Sequence, residues 1–504
     1  MPISARGATP PADPTPLEVV ADAAGGQLLA AGVAAPVAVG DVTHDSRQAG
    51  PGVLFACRPG AVADGHDFAR DAVDRGSPAL LVERRLDLPV PQVLVDSVAR
   101  RLGPVAAAVH GDPSRALTVA GVTGTNGKTT CATLLEAVFA AAGQPAGLIG
   151  TVATRIAGDE VSGMRTTPEA TDLQRLYRRM LAAGVRSVAM EVSSHGLELG
   201  RVNGTRFAVA MFTNLTHDHL DFHGSMEAYF AAKARLFTPA FSRAGVVNVD
   251  DPWGARLAAT ATVPVTTVST GAVPGADVVA ERVVADRTGS WVVVRTGAAR
   301  HELRIGMPGT FNVANGLLVL AAAGAVGIAP PVVAGVLRAP PPVPGRMERI
   351  DEGQPFTVLV DYAHTPDSLM RVLEATRAVV AGHLIVVIGC GGDRDRDKRP
   401  AMGAAAVAGA DHAVFTNDNP RSEDPARIIA AMVAGAAEVA GASWTVEPDR
   451  RAAIAAALAR AAPGDAVIVA GKGHETGQQL GDHTVPFDDR QVTRALLNQE
   501  GRGA

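Results

Sequence analysis

The sequence has little cysteine, few aromatic residues and no long apolar run. Its three cysteines, Cys57, Cys131 and Cys390, lie far apart among 504 residues and form no CxxC pair. This pattern argues against a disulfide framework and against a thiolate zinc site, and it favours a reduced, cytoplasmic setting. No apolar stretch approaches the ~18–20 residues that a membrane span needs, so we predict no membrane span. The near balance of 46 basic and 51 acidic residues argues against a polybasic nucleic-acid-binding protein.

Two stretches rich in proline and glycine divide the chain. Hydrophobic residues make up 47% of it and aromatic residues only 4%, so mostly aliphatic side chains supply the cores. The length predicts about three domains, and the breaks are expected at 111–115 and 340–345. We therefore predict domains over 16–112, 113–342 and 343–504. A leader over 1–15, rich in Pro, Ala and Ser, is expected to be disordered.

Short β-like runs alternate with helical patterns in the second and third domains. Apolar residues from Cys131 to Phe139 recur at helical spacing and predict a helix over 128–142, which Gly143 ends. Strands that alternate with helices are typical of parallel α/β sheets, and we expect the first domain to be α/β as well. The predicted strands are 117–122, 186–192, 207–213, 357–361, 384–388, 413–416 and 466–470, and a further helix is predicted over 226–237.

A glycine-rich loop with a lysine joins the first strand and helix of the middle domain. Glycines let backbone N–H groups approach phosphates, Lys128 can reach the β- and γ-phosphates, and Thr129 can bind Mg²⁺. The strict pattern GxxxxGK[ST] would need glycine where Val122 stands. An ordinary glycine-rich turn with a solvated lysine is the alternative. The predicted phosphate loop comprises Gly124, Thr125, Asn126, Gly127, Lys128, Thr129 and Thr130. We predict a three-domain α/β fold with a central P-loop NTPase-like parallel sheet and a Rossmann-like C-terminal domain.

The phosphate loop and eight other segments, in this order, resemble the Mur ligases, which join an amino acid to a nucleotide-linked muropeptide. The resemblance is greatest to the member that adds the third peptide residue. It implies a UDP-binding first domain, an ATP-binding middle domain and an amino-acid-binding last domain. The other segments are Asp45-Ser46-Arg47, Thr166-Thr167-Pro168, Glu191–Gly196, Asn214–Asp221, Tyr229–Lys233, Asp361–Pro366, Asp418–Arg421 and Gly471–Glu475.

Three side chains of the middle domain are candidates for a metal site. Glu191 ends a predicted strand at the sheet edge where α/β sites form; a surface or helix-capping glutamate is the alternative. His219 stands in an acidic stretch with His217 and His223, which from spacing alone fits zinc or a polar loop; the phosphate loop favours Mg²⁺. Lys233, by spacing alone, is a surface lysine. The resemblance implies instead that CO₂ carbamylates Lys233 to N6-carboxylysine, an oxygen ligand of Mg²⁺, and that Thr129, Glu191 and His219 also lie at the metal.

The resemblance also assigns the remaining residues of the nucleotide and muropeptide sites. Hydroxyl and guanidinium groups suit sugars, carboxylates and phosphates, although each such residue could equally be a turn or cap residue. Leu199 stands where the family often has a polar residue, so no contact is expected there. The implied UDP-muropeptide residues are Ser46, Arg47, Thr166, Thr167, Ser193 and Arg201, and the implied further ATP residues are Asn315, Arg346 and Asp361.

Arg421 carries the prediction of the amino-acid substrate. Diaminopimelate differs from L-lysine by a carboxylate at the far end of its side chain, and a buried arginine can pair with that carboxylate at two points. Beside a lysine substrate the same arginine would be unpaired, at a cost of about 3–5 kcal/mol. Glu475 suits the distal ammonium group. The implied pocket comprises Arg394, Asp418, Asn419, Pro420, Arg421, Gly471 and Glu475, although residues 389–394 could also be a structural turn.

The resemblance, together with these residues, implies an ATP- and Mg²⁺-dependent ligase that adds meso-diaminopimelate to the D-glutamate γ-carboxylate of UDP-N-acetylmuramoyl-L-alanyl-D-glutamate through an acyl phosphate. We expect a cytoplasmic monomer whose partners are these small molecules. The alternatives are ligation of L-lysine, a folate-polyglutamate ligase, and a P-loop regulatory NTPase with no acceptor. An NAD-binding protein is disfavoured because GxGxxG is missing.

Overall fold

The computed structural model describes residues 13–30, 36–60, 62–161, 165–271, 273 and 275–500. Residues 1–12 of the predicted leader lie outside this range. Thr15, the last residue predicted for the leader, instead forms an edge strand with Pro16 and pairs with Val39. In the described residues, no helix is long and apolar enough to cross a membrane.

The first domain is a small α/β unit, as predicted. Its main sheet has the order β2-β7-β6-β5-β4, with parallel pairing except between β2 and β7. Apolar side chains of α1 and α3 close one face of this sheet. The strands are β1 Thr15–Pro16, β2 Gln27–Leu29, β3 Ala38–Val39, β4 Asp41–Thr43, β5 Val53–Ala56, β6 Leu80–Val82 and β7 Gln92–Leu94, the helices are α1 Leu17–Ala24, α2 Ala69–Asp74 and α3 Val98–Val109, and 3₁₀ turns cover Ser46–Gln48 and Gly65–Phe68.

The middle domain contains an eleven-stranded sheet that is parallel at its centre. The central strands are buried on both faces, which is why their sequences are nearly continuous runs of Val, Ala and Met. The strands are β8 Thr118–Thr123, β9 Ala146–Ile149, β10 Thr154–Ile156, β11 Asp159–Val161, β12 Ser187–Glu191, β13 Val209–Phe212, β14 Gly245–Asn248, β15 Val265–Ser269, β16 Val278–Asp286, β17 Gly289–Thr296 and β18 Ala299–Ile305. The helices are α4 Pro113–Ala116, α5 Lys128–Ala141, α6 Ala170–Ala182, α7 Ser194–Glu198, α8 Leu220–His223, α9 Met226–Ala234, α10 Pro252–Thr260, α11 Thr310–Ala325 and α12 Pro330–Arg338, with a 3₁₀ turn at Arg235–Phe237.

The strand order places three chain segments side by side at one edge of this sheet. The order is β11-β10-β9-β12-β8-β13-β14-β15-β16-β17-β18, so β8 lies between β12 and β13. All three strands run parallel, and their carboxyl ends therefore open at the same edge. The phosphate loop, the segment after Glu191 and the segment after Phe212 all leave the sheet there.

The last domain is a second sheet with the order β19-β20-β24-β21-β22-β23, parallel except between β19 and β20. Separate apolar clusters cover its two faces. A short hairpin of β25 and β26 follows it. The strands are β19 Glu348–Arg349, β20 Thr357–Asp361, β21 Leu384–Ile388, β22 His412–Phe415, β23 Trp444–Val446, β24 Ala466–Ala470, β25 Gly477–Leu480 and β26 His483–Pro486, and the helices are α13 Pro366–Arg377, α14 Lys398–Gly409, α15 Pro425–Ala437, α16 Arg450–Arg460 and α17 Asp489–Glu500.

The predicted elements are present, with shifted ends in several cases. β20, β21 and β24 have the predicted limits, and residues 340–345 form neither helix nor strand. The strands predicted over 117–122 and 413–416 are displaced by one residue, and those over 186–192 and 207–213 are shorter. The helix predicted over 226–237 is α only to Ala234, because its last three residues tighten into a 3₁₀ turn. The helix predicted over 128–142 ends at Ala141, and Gly143 follows with a positive φ of 74°.

The first and middle domains pack closely through α3 and α6. A β-carbon at Gly103 of α3 would collide with the carbonyl of Asn203, so only glycine allows this approach. Arg175 of α6 reaches back to Asp41, with 2.9 Å between the guanidinium and the carboxylate. This packing brings the loops after β4 and β5 next to the middle domain.

A buried ion pair ties together the loops of the last domain. The guanidinium of Arg450 pairs with the carboxylate of Asp489 through two contacts of 2.7 Å, and both side chains are fully buried. The same guanidinium donates to the carbonyl oxygens of Ala470 (2.9 Å) and Asn417 (3.3 Å). These two residues directly precede the two segments predicted to bind the amino acid.

We expect Asp489→Asn to destabilise the last domain by about 3–5 kcal/mol, because it leaves the buried Arg450 charge without its partner. Denaturant unfolding followed by circular dichroism measures this loss against the wild type. Arg101→Ala is the matched control, because Arg101 forms an exposed pair with Asp96 that is worth at most about 1 kcal/mol. Equal small losses in both variants would contradict the importance of the buried pair.

Candidate active site

The phosphate loop is held tightly between β8 and β13. Gly124 has a φ of 145°, and a β-carbon there would collide with the hydroxyl of Thr213. Asn214 accepts from the Thr125 amide at 2.9 Å through its carbonyl and from the Asn126 amide at 3.0 Å through its side chain. α5 begins directly after Gly127, so its free N–H groups point to the loop. The loop therefore has the strand–loop–helix geometry that phosphate binding requires.

Two lysines meet at one carbonyl oxygen of this loop. Lys128 Nζ donates to the Gly124 and Thr125 carbonyls at 3.0 and 2.8 Å, and Lys233 Nζ donates to the Gly124 carbonyl at 2.8 Å. Lys233 is only 1% exposed, so the surface-lysine alternative is wrong. Burial, together with the charge of Lys128, lowers the pKa of Lys233 well below its ordinary value. Burial also lowers the pKa of Lys128.

Glu191 lies at the carboxyl end of β12, beside the strand that leads into the phosphate loop. Its side chain is only 1% exposed, which excludes the surface alternative. One carboxylate oxygen accepts from the Thr151 amide at 2.8 Å, and the other accepts from the Thr151 hydroxyl at 3.0 Å. That hydroxyl lies 3.0 Å from the hydroxyl of Thr166. Glu191 is thus an oriented acidic group that connects to a residue predicted for the muropeptide site.

His219 belongs to a group of packed rings near Lys233. Its ring lies 4.8 Å from that of His195 and 6.1 Å from that of Tyr229, and Lys233 Nζ lies 4.6 Å from the Tyr229 ring centre. The His219 side chain is 44% exposed, and its partial desolvation lowers the pKa of the ring below the ordinary value. The Tyr229 hydroxyl is 3.2 Å from that of Thr125 and links this group to the phosphate loop. His217 instead faces Asp395 of the last domain at 3.5 Å.

A cavity of about 1150 Å³ opens between the middle and last domains next to the phosphate loop. Asn315 lines it from α11, and a β-carbon at Gly127 would lie 2.6 Å from its side-chain oxygen. Arg346 lines it from the other side, stacks 4.6 Å above the Tyr362 ring and donates to the Thr129 hydroxyl at 3.3 Å. Six of the ten residues predicted for ATP line this cavity, namely Asn126, Gly127, Thr130, Asn315, Arg346 and Asp361. The other four, Gly124, Thr125, Lys128 and Thr129, are not among its lining residues.

Asp361 closes the cavity at the end of β20. Its two oxygens accept from the amides of Met347 and Ala363, both at 2.7 Å. Burial raises the pKa of Asp361, although the nearby Arg346 charge and these two amides act against that rise. The carboxyl group therefore holds the turn that carries Arg346 in place.

The residues predicted for the UDP-muropeptide fall into two groups. Thr167, Ser193 and Arg201 lie together: the Thr167 and Ser193 hydroxyls are 3.2 Å apart, and Arg201 donates to the Thr167 carbonyl at 3.3 Å. Ser46 and Arg47 lie in the first domain, where the exposed Arg47 guanidinium pairs with Asp45. Ser193 also caps α7, so it has a structural role as well.

The residues predicted for the amino acid come from two neighbouring loops of the last domain. Asn419 donates to the Glu475 carboxylate at 2.8 Å. A β-carbon at Gly471, whose φ is 107°, would lie 2.8 Å from the Asp418 carboxylate. Arg421 has a φ of 51° and is half-buried rather than fully buried as expected; it donates to the Gly392 carbonyl at 2.6 Å. Pro420 accompanies it in this loop, and the exposed Arg394 follows the glycine-rich turn after β21.

Lys472 is the main residue of this region that the sequence analysis missed. Its side chain is fully buried, and its Nζ donates to Asn419 (3.2 Å), Glu475 (2.9 Å) and the Gly477 carbonyl (2.7 Å). One signal could have found it. Only four of the 46 basic residues are lysines, namely Lys128, Lys233, Lys398 and Lys472. The structure places the first two at the phosphate loop, Lys472 between the amino-acid loops, and Lys398 3.0 Å from the His364 carbonyl.

Two of the side chains predicted for the metal site are buried oxygen donors. No group of three or more His, Cys, Asp or Glu side chains that could hold a metal is found in the described part of the chain. The candidate oxygen donors are the Thr129 hydroxyl and the Glu191 carboxylate, both within buried residues beside the loop. Hard oxygen ligands suit Mg²⁺, which usually takes few protein ligands and several from phosphates and water. The donor set therefore fits Mg²⁺ bound together with a nucleotide.

Three family models match successive parts of the chain. Residues 39–112 match the Mur ligase family catalytic domain, residues 122–323 match the Mur ligase middle domain, and residues 345–473 match the Mur ligase glutamate ligase domain. The chain is 49% identical to the UDP-N-acetylmuramoyl-L-alanyl-D-glutamate–2,6-diaminopimelate ligase of Streptomyces coelicolor, over 96% of this chain and 97% of that protein. It is 46% identical to the protein of the same name from Geobacillus thermodenitrificans, over 90% and 94%.

Solved structures agree with these matches. A structure of a UDP-N-acetylmuramoyl-L-alanyl-D-glutamate–2,6-diaminopimelate ligase superposes with a TM-score of 0.68 at 32% identity and covers 92% of this chain and 96% of that one. MurF ligase from Thermotoga maritima, solved in complex with ADP, has a similar fold, with a TM-score of 0.63 at 18% identity, covering 92% and 98%. The family models together match more than half of the sequence, and the close relatives extend over nearly all of it. The chain therefore belongs to the Mur ligase family.

Proposed function

We propose that this protein is an ATP-dependent ligase that adds meso-2,6-diaminopimelate to the D-glutamate γ-carboxylate of UDP-N-acetylmuramoyl-L-alanyl-D-glutamate, a step of peptidoglycan precursor synthesis. The observation that carries the proposal is the meeting of two loops in the last domain, where Arg421, Asn419 and Glu475 supply a guanidinium, an amide and a carboxylate. The two relatives named above are both called UDP-N-acetylmuramoyl-L-alanyl-D-glutamate–2,6-diaminopimelate ligases, and this chain matches nearly their whole length. Their names support the same substrate. We also propose that it acts in the cytoplasm as a monomer.

The chain supplies binding and orientation rather than a covalent nucleophile. ATP phosphorylates the γ-carboxylate, and the amine of diaminopimelate then displaces phosphate to leave an amide, ADP and phosphate. The loop amides and Lys128 bind the phosphates, and Arg346 brings a second cation from the last domain to Thr129. Alignment of the reactants lowers the activation barrier of the reaction. Exclusion of water from the site protects the acyl phosphate from hydrolysis.

We also propose that the ligase uses Mg²⁺, which neutralises the charge of the ATP phosphates when it is bound. Thr129, Glu191, His219 and a carbamylated Lys233 are the residues that we propose lie at it. Lys233 meets the requirement for carbamylation: it is buried, and its lowered pKa favours the neutral amine that attacks CO₂ and releases a proton. The resulting carbamate is an anionic oxygen donor, whereas an unmodified, protonated lysine would be a cation.

The proposed function is tested by incubation with ATP, Mg²⁺, the UDP-linked dipeptide and a mixture of amino acids that includes diaminopimelate, L-lysine and L-glutamate. We expect one product whose mass equals that of the dipeptide substrate plus diaminopimelate minus water. A lysine adduct would identify a lysine-adding ligase instead. Phosphate release without any adduct would favour the regulatory NTPase.

We expect Lys233→Ala to be folded but nearly inactive, and to regain part of its activity when formate or acetate is added. A short carboxylate can occupy the space of the carbamate and return an oxygen donor to the site. Phosphate release at saturating substrates measures the activity, and circular dichroism confirms the fold.

Lys233→Arg is the matched control, because it keeps the positive charge but fills the space and cannot form the carbamate. It should be inactive with and without added carboxylate. Full activity of either variant without carboxylate would contradict carbamylation of Lys233.

We expect Arg421→Ala to lower kcat/KM for diaminopimelate by more than a hundredfold, because about 3 kcal/mol of charge pairing is lost. Activity with L-lysine should not fall in parallel, since lysine has no distal carboxylate. Steady-state kinetics with both amino acids at saturating ATP measures the ratio.

Arg427→Ala is the matched control, because Arg427 is an exposed arginine on the nearby α15. It should leave both activities unchanged. An equal loss with both amino acids in Arg421→Ala would assign Arg421 to folding or general catalysis.

A further inference from the structure

Three arginines surround one glutamate where the first and middle domains meet. Arg58 of the first domain donates to one Glu169 oxygen at 3.0 Å, and Arg201 lies 2.9 Å from the other oxygen. Arg165 contacts that second oxygen as well, at 2.5 Å. We call these four residues the Glu169 cluster. No sequence motif indicated Arg58, Arg165 or Glu169, because the cluster forms only when the domains pack together.

The Glu169 cluster has more positive than negative charge. Three guanidinium groups face a single carboxylate, which leaves a formal excess of two positive charges. The side chains of Arg58 and Arg201 are only 21% and 13% exposed, so water screens this excess incompletely. The Nε of Arg201 is buried and has no hydrogen-bond partner among the residues that the structure describes. Partly buried cations in excess, with an unused donor, are suited to an anionic ligand.

The cluster lies between the two groups of residues proposed to hold the UDP-linked substrate. On one side, Arg201 also donates to the Thr167 carbonyl. On the other side, the His44 ring nitrogen is 3.5 Å from the Thr171 hydroxyl, in the segment that continues to Ser46. A substrate that extends from Ser46 to Thr167 would pass the cluster, and the UDP-linked dipeptide carries both a diphosphate and carboxylates.

We propose that Arg58, together with Arg201, binds an anionic group of the UDP-linked substrate, beside the carboxylate of Glu169. This inference rests on the proposed function and adds a residue of the first domain to the substrate site. The anionic group is a phosphate or a carboxylate, which have the same recognition chemistry.

Titration calorimetry of the full-length protein with UDP-linked dipeptide, with UDP alone and with an ATP analogue tests this inference. In Arg58→Ala we expect the Kd for the UDP-linked dipeptide to rise roughly tenfold or more, as for the loss of one charge-assisted hydrogen bond. The Kd for the ATP analogue should not change. KM for the dipeptide should rise by the same factor, with kcat nearly constant. A parallel rise for UDP assigns the phosphate; a rise for the dipeptide alone assigns the carboxylate.

Glu169→Gln separates binding from a purely structural role. If Arg58 only fastened the two domains through Glu169, both variants would weaken dipeptide binding alike, and that result would overturn the inference. If Arg58 binds an anion, Glu169→Gln removes a competing negative charge and should bind the dipeptide at least as tightly as the wild type. Arg101→Ala, an exposed arginine of the same domain, is the control for general charge effects.

The outcomes also distinguish this inference from the proposed function. Tight dipeptide binding by the wild type with an unchanged Kd in Arg58→Ala overturns the role of Arg58 alone. Failure of the wild type to bind any UDP-linked ligand, or to form the tripeptide product, overturns the proposed function and the inference together.

Discussion

The close packing of the phosphate loop against β13 is the constraint on which the rest of the active site depends. Gly124 has no side chain because the Thr213 hydroxyl occupies that space. The backbone carbonyl of Gly124 accepts hydrogen bonds from both Lys128 and Lys233. Burial, together with repulsion by the Lys128 ammonium group at the same carbonyl, favours the neutral form of Lys233. One backbone approach therefore determines both the shape of the loop and the reactivity of a side chain more than a hundred residues away.

The proposed catalytic arrangement also needs contributions from different domains. Arg346 and Asp361 belong to the last domain, yet Arg346 contacts Thr129 of the phosphate loop across the cavity. Arg58 of the first domain similarly reaches Glu169 of the middle domain. No single domain holds a complete site. Domain packing is thus part of the chemistry that we propose, because it determines when the cations meet the phosphate groups.

The use of lysine in this chain has a physical explanation. Arginine serves nearly all surface and ion-pair positions, since its planar guanidinium is always charged and pairs at two points. Two of the four lysines show what a compact amine allows. Lys233 can become neutral, and Lys472 fits three acceptors around one buried nitrogen. A rare residue type can therefore indicate a site as clearly as a motif does.

The sequence by itself determined the fold class, the family and the local geometry of the phosphate loop. These depend on short-range features: the spacing of apolar residues, the glycines of the loop, and short motifs whose own residues lie within a few positions of each other. The limits of β20, β21 and β24 were predictable because such strands are apolar and bounded by turn residues.

Only the tertiary structure decided which of these segments meet. Spacing alone predicts a surface position for Lys233, and the fold buries it because α9 packs against α7 and directs Lys233 to the Gly124 carbonyl. The Glu169 cluster was not predictable, since its partners are brought together by domain packing rather than by sequence distance. The contact of Lys472 with Asn419 likewise forms only where two loops of the last domain meet. Burial and charge pairing are properties of the assembled chain, and the local sequence contains no measure of either.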